Sequence, residues 1–361
     1  MTDLHQHIDS VRQRLGKKLL ILGHHYQREE VIAHTDLLGD SFQLSAAAAE
    51  NTDCETIVFC GVHFMAETAD ILANSAENLA RRNGKRVNVL LPDLDAGCSM
   101  ADMATREDVE RCWNELAEVV DVNEVVPITY VNSSAELKAF CGQHDGIACT
   151  STNAKAVLET ALRQKQRVLF FPDQHLGRNT ALKMSIPSSA ISFWDNDAVD
   201  FGGSSVNQIR NCQVILWNGH CSVHQKFLPE HIDAVRKTYY GVQVIVHPEC
   251  RRTVVEKADE SGSTSFILQQ INESPSGALW AVGTESRFVE RLAKQNPDKT
   301  VVNLSSQPSY CDTMGLIDLP KLAAVLDSIE SGLPKNIIRV DNQTAADALL
   351  CLQRMLECSP R

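Results

Sequence analysis

The sequence predicts an α/β fold built from three related small domains, each an αβα sandwich, in a pseudo-threefold arrangement. Three observations predict it. Short apolar runs alternate with helix-length amphipathic segments throughout the 361 residues. The same order of strand, polar strand end, hydroxyl-rich helix start and second strand occurs three times. Each repeat closes on a loop with one cysteine: Ala96-Gly97-Cys98-Ser99, Gly219-His220-Cys221-Ser222 and Pro308-Ser309-Tyr310-Cys311.

The elements follow in chain order. Met1 to Lys18 is polar and helix-like, without the apolar core and small-residue cleavage site of a signal peptide. The first repeat opens with the apolar strand Leu19–Leu22, which delivers Gly23-His24-His25-Tyr26. Gly39-Asp40-Ser41 then starts an Ala-rich helix, and Thr56–Cys60 is the next strand. The second repeat opens with Val125–Thr129, delivering Tyr130-Val131-Asn132. Thr150-Ser151-Thr152 precedes the helix Ala154–Leu162, and Val168–Phe171 follows as a strand. A polar insert around Gln174–Ser205 is extra to this repeat. The third opens with Val242–Val246 and delivers His247-Pro248-Glu249. Gly262-Ser263-Thr264-Ser265 precedes the helix Phe266–Ile271, and Leu279–Val282 is its next strand. Spacings from strand end to hydroxyl are 17 (His24 to Ser41), 19 (Asn132 to Ser151) and 16 (His247 to Ser263). The expected units are 1–101, 102–222 and 223–311, with 312–361, helical over Leu319–Ile329 and Ala345–Leu356, packing back on the first.

Composition narrows the function. Hydrophobic residues make up 43% and charged residues 22%, which excludes disorder, collagen and coiled coil. With 34 Lys and Arg against 46 Asp and Glu, the net charge is −12 and no basic run offsets it, so nucleic acid is not an expected partner. No apolar stretch approaches a membrane span. Twelve cysteines without a Cys-x-x-Cys pair point to free thiols in a reducing compartment, hence a cytoplasmic protein.

Polar residues at the carboxyl ends of strands stand where open α/β sheets place ligands. A threefold axis would bring together His24, Tyr26, Tyr130, Asn132, His247 and Glu249, with His224 three residues after Cys221. These offer acid–base groups and hydrogen-bond donors together. The hydroxyls at the helix starts are ordinary N-caps taken singly. Facing one axis, they suit a substrate with carboxylates or a phosphate. The axis would also gather Cys98, Cys221 and Cys311, a soft-metal site for an iron–sulfur cluster or zinc. Three thiolates leave one iron of a [4Fe–4S] cluster open as a Lewis acid. A hydro-lyase acting on a small diacid shares that logic, and a non-catalytic iron–sulfur sensor would share the cysteines. The acidic balance and the missing DNA-binding motif argue against a regulator.

At these residues the sequence resembles the quinolinate synthase (quinolinate synthetase A) family over roughly residues 17–330. The ordered motifs that carry the resemblance are His24-His25-Tyr26-Gln27, Gly39-Asp40-Ser41, Gly61-Val62-His63-Phe64-Met65-Ala66-Glu67-Thr68-Ala69 and Ala96-Gly97-Cys98-Ser99-Met100-Ala101-Asp102. They continue through Tyr130-Val131-Asn132-Ser133, Cys149-Thr150-Ser151 and Pro172-Asp173-Gln174-His175-Leu176-Gly177 to Cys221-Ser222-Val223-His224, His247-Pro248-Glu249-Cys250 and Gly262-Ser263-Thr264-Ser265. The resemblance implies three α/β domains around a central [4Fe–4S] cluster. It also implies a transferase-type condensation of iminoaspartate with dihydroxyacetone phosphate to quinolinate, in de novo NAD biosynthesis. A supplier of iminoaspartate, an L-aspartate oxidase or dehydrogenase, is the implied transient partner. Carried over, Cys98, Cys221 and Cys311 are the cluster ligands, and Tyr26, His24, Glu249 and His224 serve the acid–base steps. His24, Ser41, Tyr130, Val131, Asn132, Ser151, His247, Pro248, Glu249, Ser263 and Thr264 contact substrate. Some relatives end in a Cys-x-x-Cys-x-x-Cys run, whereas Cys311 stands alone here. The other nine cysteines carry no implied role.

Overall fold

The computed structural model describes residues 2–51 and 53–358. Among these residues fourteen strands form three sheets. The strands are β1 (Leu19–His24), β2 (Leu37–Gly39), β3 (Thr56–Cys60), β4 (Asn88–Leu90), β5 (Val125–Tyr130), β6 (Ile147–Cys149) and β7 (Arg167–Phe171). Then follow β8 (Ile191–Trp194), β9 (Val214–Trp217), β10 (Gln243–Val246), β11 (Glu260–Ser261), β12 (Leu279–Gly283), β13 (Thr300–Asn303) and β14 (Ile337–Ile338). The sheet orders are β14-β4-β3-β1-β2, β6-β5-β7-β9-β8 and β11-β10-β12-β13. All pairings are parallel except β14 with β4. Every residue of β3 and β5 is buried, as expected of parallel strands covered on both faces. The fold is therefore α/β in three layered units.

One topology recurs. The first strand of each unit (β1, β5, β10) pairs on one side with a short second strand and on the other with the third. The chain thus leaves the first and third strands in opposite directions, which opens a crevice at their carboxyl ends.

Pairing register makes Ile21, Pro127 and Val244 equivalent, facing Asp36, Gly146 and Asp259. In the first unit the Ile21 N–H donates to Asp36 Oδ2 at 2.7 Å, and Asp36 Oδ1 accepts from Arg12 at 2.6 Å. The third unit repeats this: Val244 N–H to Asp259 Oδ2 at 2.7 Å, and Arg236 to Asp259 Oδ1 at 2.8 Å. In the second unit Pro127 has no N–H to satisfy. Gly146 replaces the aspartate there, and a Cβ on it would stand 2.3 Å from the Pro127 carbonyl oxygen.

Two sequence expectations need correction. The helix Gln174–Lys183 follows β7 as His63–Ala73 follows β3 and Ser286–Gln295 follows β12, so it belongs to the repeat. The real extra is the edge strand β8 and the helix Val206–Asn211. The segment 312–361 does not pack on the first unit as a whole. Leu319–Glu330 lies on the helix Thr2–Leu15, and β14 extends the first sheet. Asn342–Glu357 instead packs on the helix Ala135–Gln143 and on β6 of the second unit. Its stripe Ala348, Cys351, Leu352, Met355 is buried there.

Candidate active site

The carboxyl ends of β1, β5 and β10 open on one central cavity of about 670 Å³. His24, Tyr26, Tyr130, Asn132, His247 and Glu249 all line it, as do Ser41, Ser151, Thr264 and His224. Val131, Pro248 and Ser263 do not. Val131 donates its N–H to the Cys149 carbonyl, and the Pro248 carbonyl accepts from Asn179 at 2.8 Å. Ser263 caps its helix through the Phe266 N–H. Strand register explains the last: Glu260 pairs with Ile245 as Leu37 pairs with Leu22, so Thr264 is the equivalent of Ser41 and Ser151.

Each strand end turns rather than continuing extended. Gln27 N–H bonds the His24 carbonyl, and Cys250 N–H bonds the His247 carbonyl. The turn, not a strand face, brings His24 and Tyr26 together, with ring centroids 4.7 Å apart. Tyr26 N–H donates to His24 Nδ1 at 3.1 Å, and Glu249 N–H donates to His247 Nδ1 at 3.4 Å. A backbone donor on Nδ1 leaves the ring proton on Nε2. Burial, followed by the charges of His25 and Arg291, holds His24 well below its ordinary pKa. Burial and His224 bring His247 down to about 3. Both rings are neutral Nε2–H donors at pH 7.

A hydrogen-bonded chain crosses the cavity wall. Tyr26 Oη lies 2.8 Å from Thr284 Oγ1, and Thr284 Oγ1 lies 3.1 Å from His224 Nε2. His224 Nδ1 is 2.6 Å from Glu249 Oε2, close but out of line for a hydrogen bond. Burial opposes ionisation of Glu249, but the His247 and His224 rings and the Tyr130 hydroxyl outweigh it and hold this carboxyl low. Burial and then Glu249 push the Tyr26 phenol well above its ordinary pKa, so it stays protonated. Thr284 was not singled out in the sequence; a threonine after an apolar strand reads as a helix-start residue. Asn132 Oδ1 and Glu249 Oε1 are buried without partners.

The helix starts converge through Asp40. Its carboxylate caps the helix Ser41–Glu50 and also accepts from Thr152 at 3.1 Å and Ser265 at 2.6 Å, joining all three units. In the second unit the helix begins only at Ala154, so Ser151 sits in the preceding turn and gains less from the dipole.

Cys98, Cys221 and Cys311 also line the cavity, on loops with one backbone pattern. The carbonyl two residues before each cysteine accepts from the first residue of the helix after the third strand. The pairs are His63 to Ala96 (2.8 Å), Gln174 to Gly219 (3.0 Å) and Ser286 to Ser309 (3.0 Å). Each cysteine carbonyl accepts from the residue four ahead: Asp102 (3.2 Å), Gln225 (3.1 Å) and Gly315 (3.0 Å). Cys311 N–H is further held by the buried Glu285 at 3.1 Å. Burial raises all three thiols, Cys98 to about 12. Among the described residues, only Cys221, His224 and Glu249 bring three ligand atoms within 4.8 Å of one another. The three sulfurs are thus too spread for one tetrahedral zinc, whose ligands stand about 3.8 Å apart. The 2.6 Å between His224 and Glu249 is likewise an ion-pair distance, shorter than two ligands of one ion keep. A multinuclear cluster fits this donor set.

Comparison with known proteins is consistent over nearly the whole chain. The family model Quinolinate synthetase A protein matches residues 6–357. A quinolinate synthase of Rhodopirellula baltica is 55% identical over 353 residues, covering 98% of this chain and 90% of the relative. One from Lysinibacillus sphaericus is 48% identical over 356 residues, covering 99% and 94%. One from Bacillus cereus is 47% identical over 357 residues, covering 98% and 93%.

Proposed function

The chain belongs to the quinolinate synthetase A family of enzymes, and from that premise we propose that it condenses iminoaspartate with dihydroxyacetone phosphate. Quinolinate forms with loss of one phosphate and two waters, supplying the pyridine ring for NAD. The observation that carries this reading is the single cavity that holds neutral histidines, a tyrosine relay, converging hydroxyls and three cysteines.

Cys98, Cys221 and Cys311 would hold a [4Fe–4S] cluster. When bound, such a cluster supplies one iron without a protein ligand, a Lewis acid for a substrate oxygen or nitrogen. The chain's own groups do the rest. The Nε2–H groups of His24 and His247 and the hydroxyls of Ser41, Ser151 and Thr264 donate to substrate carboxylates or phosphate, charge-assisted bonds that orient the anion. Asn132 Oδ1 accepts from a substrate N–H or O–H. Tyr26 donates its phenolic proton to a departing hydroxyl and regains it through Thr284 from His224, whose other ring nitrogen faces Glu249. The opposite direction removes a proton for enolisation.

Anaerobic incubation with both substrates, followed by quinolinate absorbance, tests the reaction. The purified protein should carry about four irons per chain. Cys98→Ala, Cys221→Ala and Cys311→Ala should each lose the iron and the product, while Cys54→Ala and Cys112→Ala keep both. Full iron with no quinolinate formed would overturn the function. Iron retained in all three loop variants would overturn the ligand set.

A further inference from the structure

Beside the Cys221 loop, a groove of about 900 Å³ that shares no lining residue with the central cavity carries an unusual set of charges. The start of the helix Gln174–Lys183 and the loops around His220 and Arg251 enclose it. Arg178, Arg251, Arg252, His175 and His220 line it, and no carboxylate does. This stands out in a chain whose net charge is −12.

The cations are held by neutral groups or by groups behind them. Arg178 donates to Gln174 Oε1 at 3.0 Å and lies 4.4 Å above the Phe193 ring. Arg252 is oriented by Glu256 at 2.5 Å and by Ser188 at 3.3 Å, neither of which lines the groove. The Arg251 side chain makes no ion pair or hydrogen bond among the described residues. His175 is 7% exposed, and its Nδ1 is buried without a partner. The crowding is felt by its members. Burial and then Arg178, His220 and Arg251 bring His175 down to about 4. Burial and Arg252 lower Arg178. Glu256 pairs with Arg252 from outside the groove, but Arg251 has no such partner among the described residues; guanidinium groups crowded in this way repel one another, and a bound anion with several acceptor oxygens lessens that repulsion.

We propose that this groove is a second anion site, taking a phosphate-type dianion, either inorganic phosphate or a phosphomonoester, outside the central cavity. Arg251 and Arg252 grip the anion and Arg178 forms the opposite wall. Occupancy bears on the catalytic loops, because His220 precedes Cys221 and Gln225 donates to the Glu249 carbonyl at 3.1 Å.

The test is a ³¹P NMR titration of the iron-loaded protein with inorganic phosphate and, separately, with dihydroxyacetone phosphate. Saturable phosphate binding should weaken roughly tenfold in Arg251→Ala and again in Arg251→Ala/Arg252→Ala, as expected for losing charge-assisted bonds. Ser41→Ala, in the central cavity, should leave that binding unchanged. Ester binding that Arg251→Ala weakens more than it weakens phosphate binding identifies a phosphomonoester as the groove's ligand; an equal or smaller loss identifies free phosphate. Phosphate binding lost in Ser41→Ala but kept in Arg251→Ala would place the anion in the central cavity and overturn the proposal. So would the absence of saturable binding at millimolar phosphate. Neither outcome depends on whether quinolinate is the product.

Discussion

Tyr26 and His224 come from different repeats, and one hydroxyl joins them. Thr284 stands 2.8 Å from the Tyr26 oxygen and 3.1 Å from His224 Nε2, so it offers a proton a direct path between them. Thr284→Val keeps the shape and removes the hydroxyl. Its kcat should fall about 100-fold with KM and iron content near those of the wild type, and Thr284→Ser should restore most of the rate. Tyr26→Phe should show the same split. A Thr284→Val enzyme that turns over like the wild type would return Thr284 to a packing role. A second residue-scale consequence concerns acid stability. Burial, with Arg291 beside it and against the pull of Asp40, brings His25 down to about 4. The unfolded ring protonates near pH 6.5, so between about pH 6.5 and 4 the unfolded state binds the extra proton. Stability from His25 is full above that window and declines as pH falls, by about 1.4 kcal/mol per pH unit. In urea unfolding across pH 7 to 4, His25→Gln should flatten the acid branch by that slope. An unchanged slope would mean that His25 protonates normally in the folded protein.

At the scale of elements, the C-terminal helix Asn342–Glu357 depends on one missing side chain. A Cβ on Gly142 would stand 1.8 Å from the Asp347 carbonyl oxygen, a backbone atom that cannot rotate away. Gly142→Ala should push the helices apart and cost about 1–3 kcal/mol. The expected readouts are a lower Tm and faster proteolysis near 342, with iron content unchanged. Wild-type Tm would mean that the pair repacks freely. The existence and kind of this helix are legible from its apolar spacing, but its partner is not. An apolar stripe demands a surface without naming one, and the second unit wins because Gly142 permits the closer approach. The insert teaches the same lesson. Gln174–Lys183 is polar enough to read as extra, yet backbone topology makes it the equivalent of His63–Ala73.

For the whole molecule, the three units meet at Asp40, whose carboxylate takes hydroxyl hydrogen bonds from the second and third units while capping a helix of the first. A tie of this kind should show as coupling. Asp40→Asn and Ser265→Ala should be non-additive in unfolding free energy by roughly 1 kcal/mol. Strict additivity would reduce Asp40 to a helix cap.

The sequence by itself determined the α/β class, the three repeats, the strand-end residues and the cysteine loops. Each is written in local periodicity and in residue order, which survive without knowledge of packing. Even the lone Cys311 is legible by its place in the loop that closes the third repeat. Only the tertiary structure decided which hydroxyl of Ser263 and Thr264 faces the cavity, because the cap position spends its hydroxyl on the Phe266 N–H while Thr264, one residue on, lines the cavity. It alone decided that Thr284 bridges Tyr26 to His224, and that Asp40 binds three units. Those contacts join residues up to 258 positions apart, and a hydroxyl or carboxylate carries no mark in the sequence of the distant group it will meet.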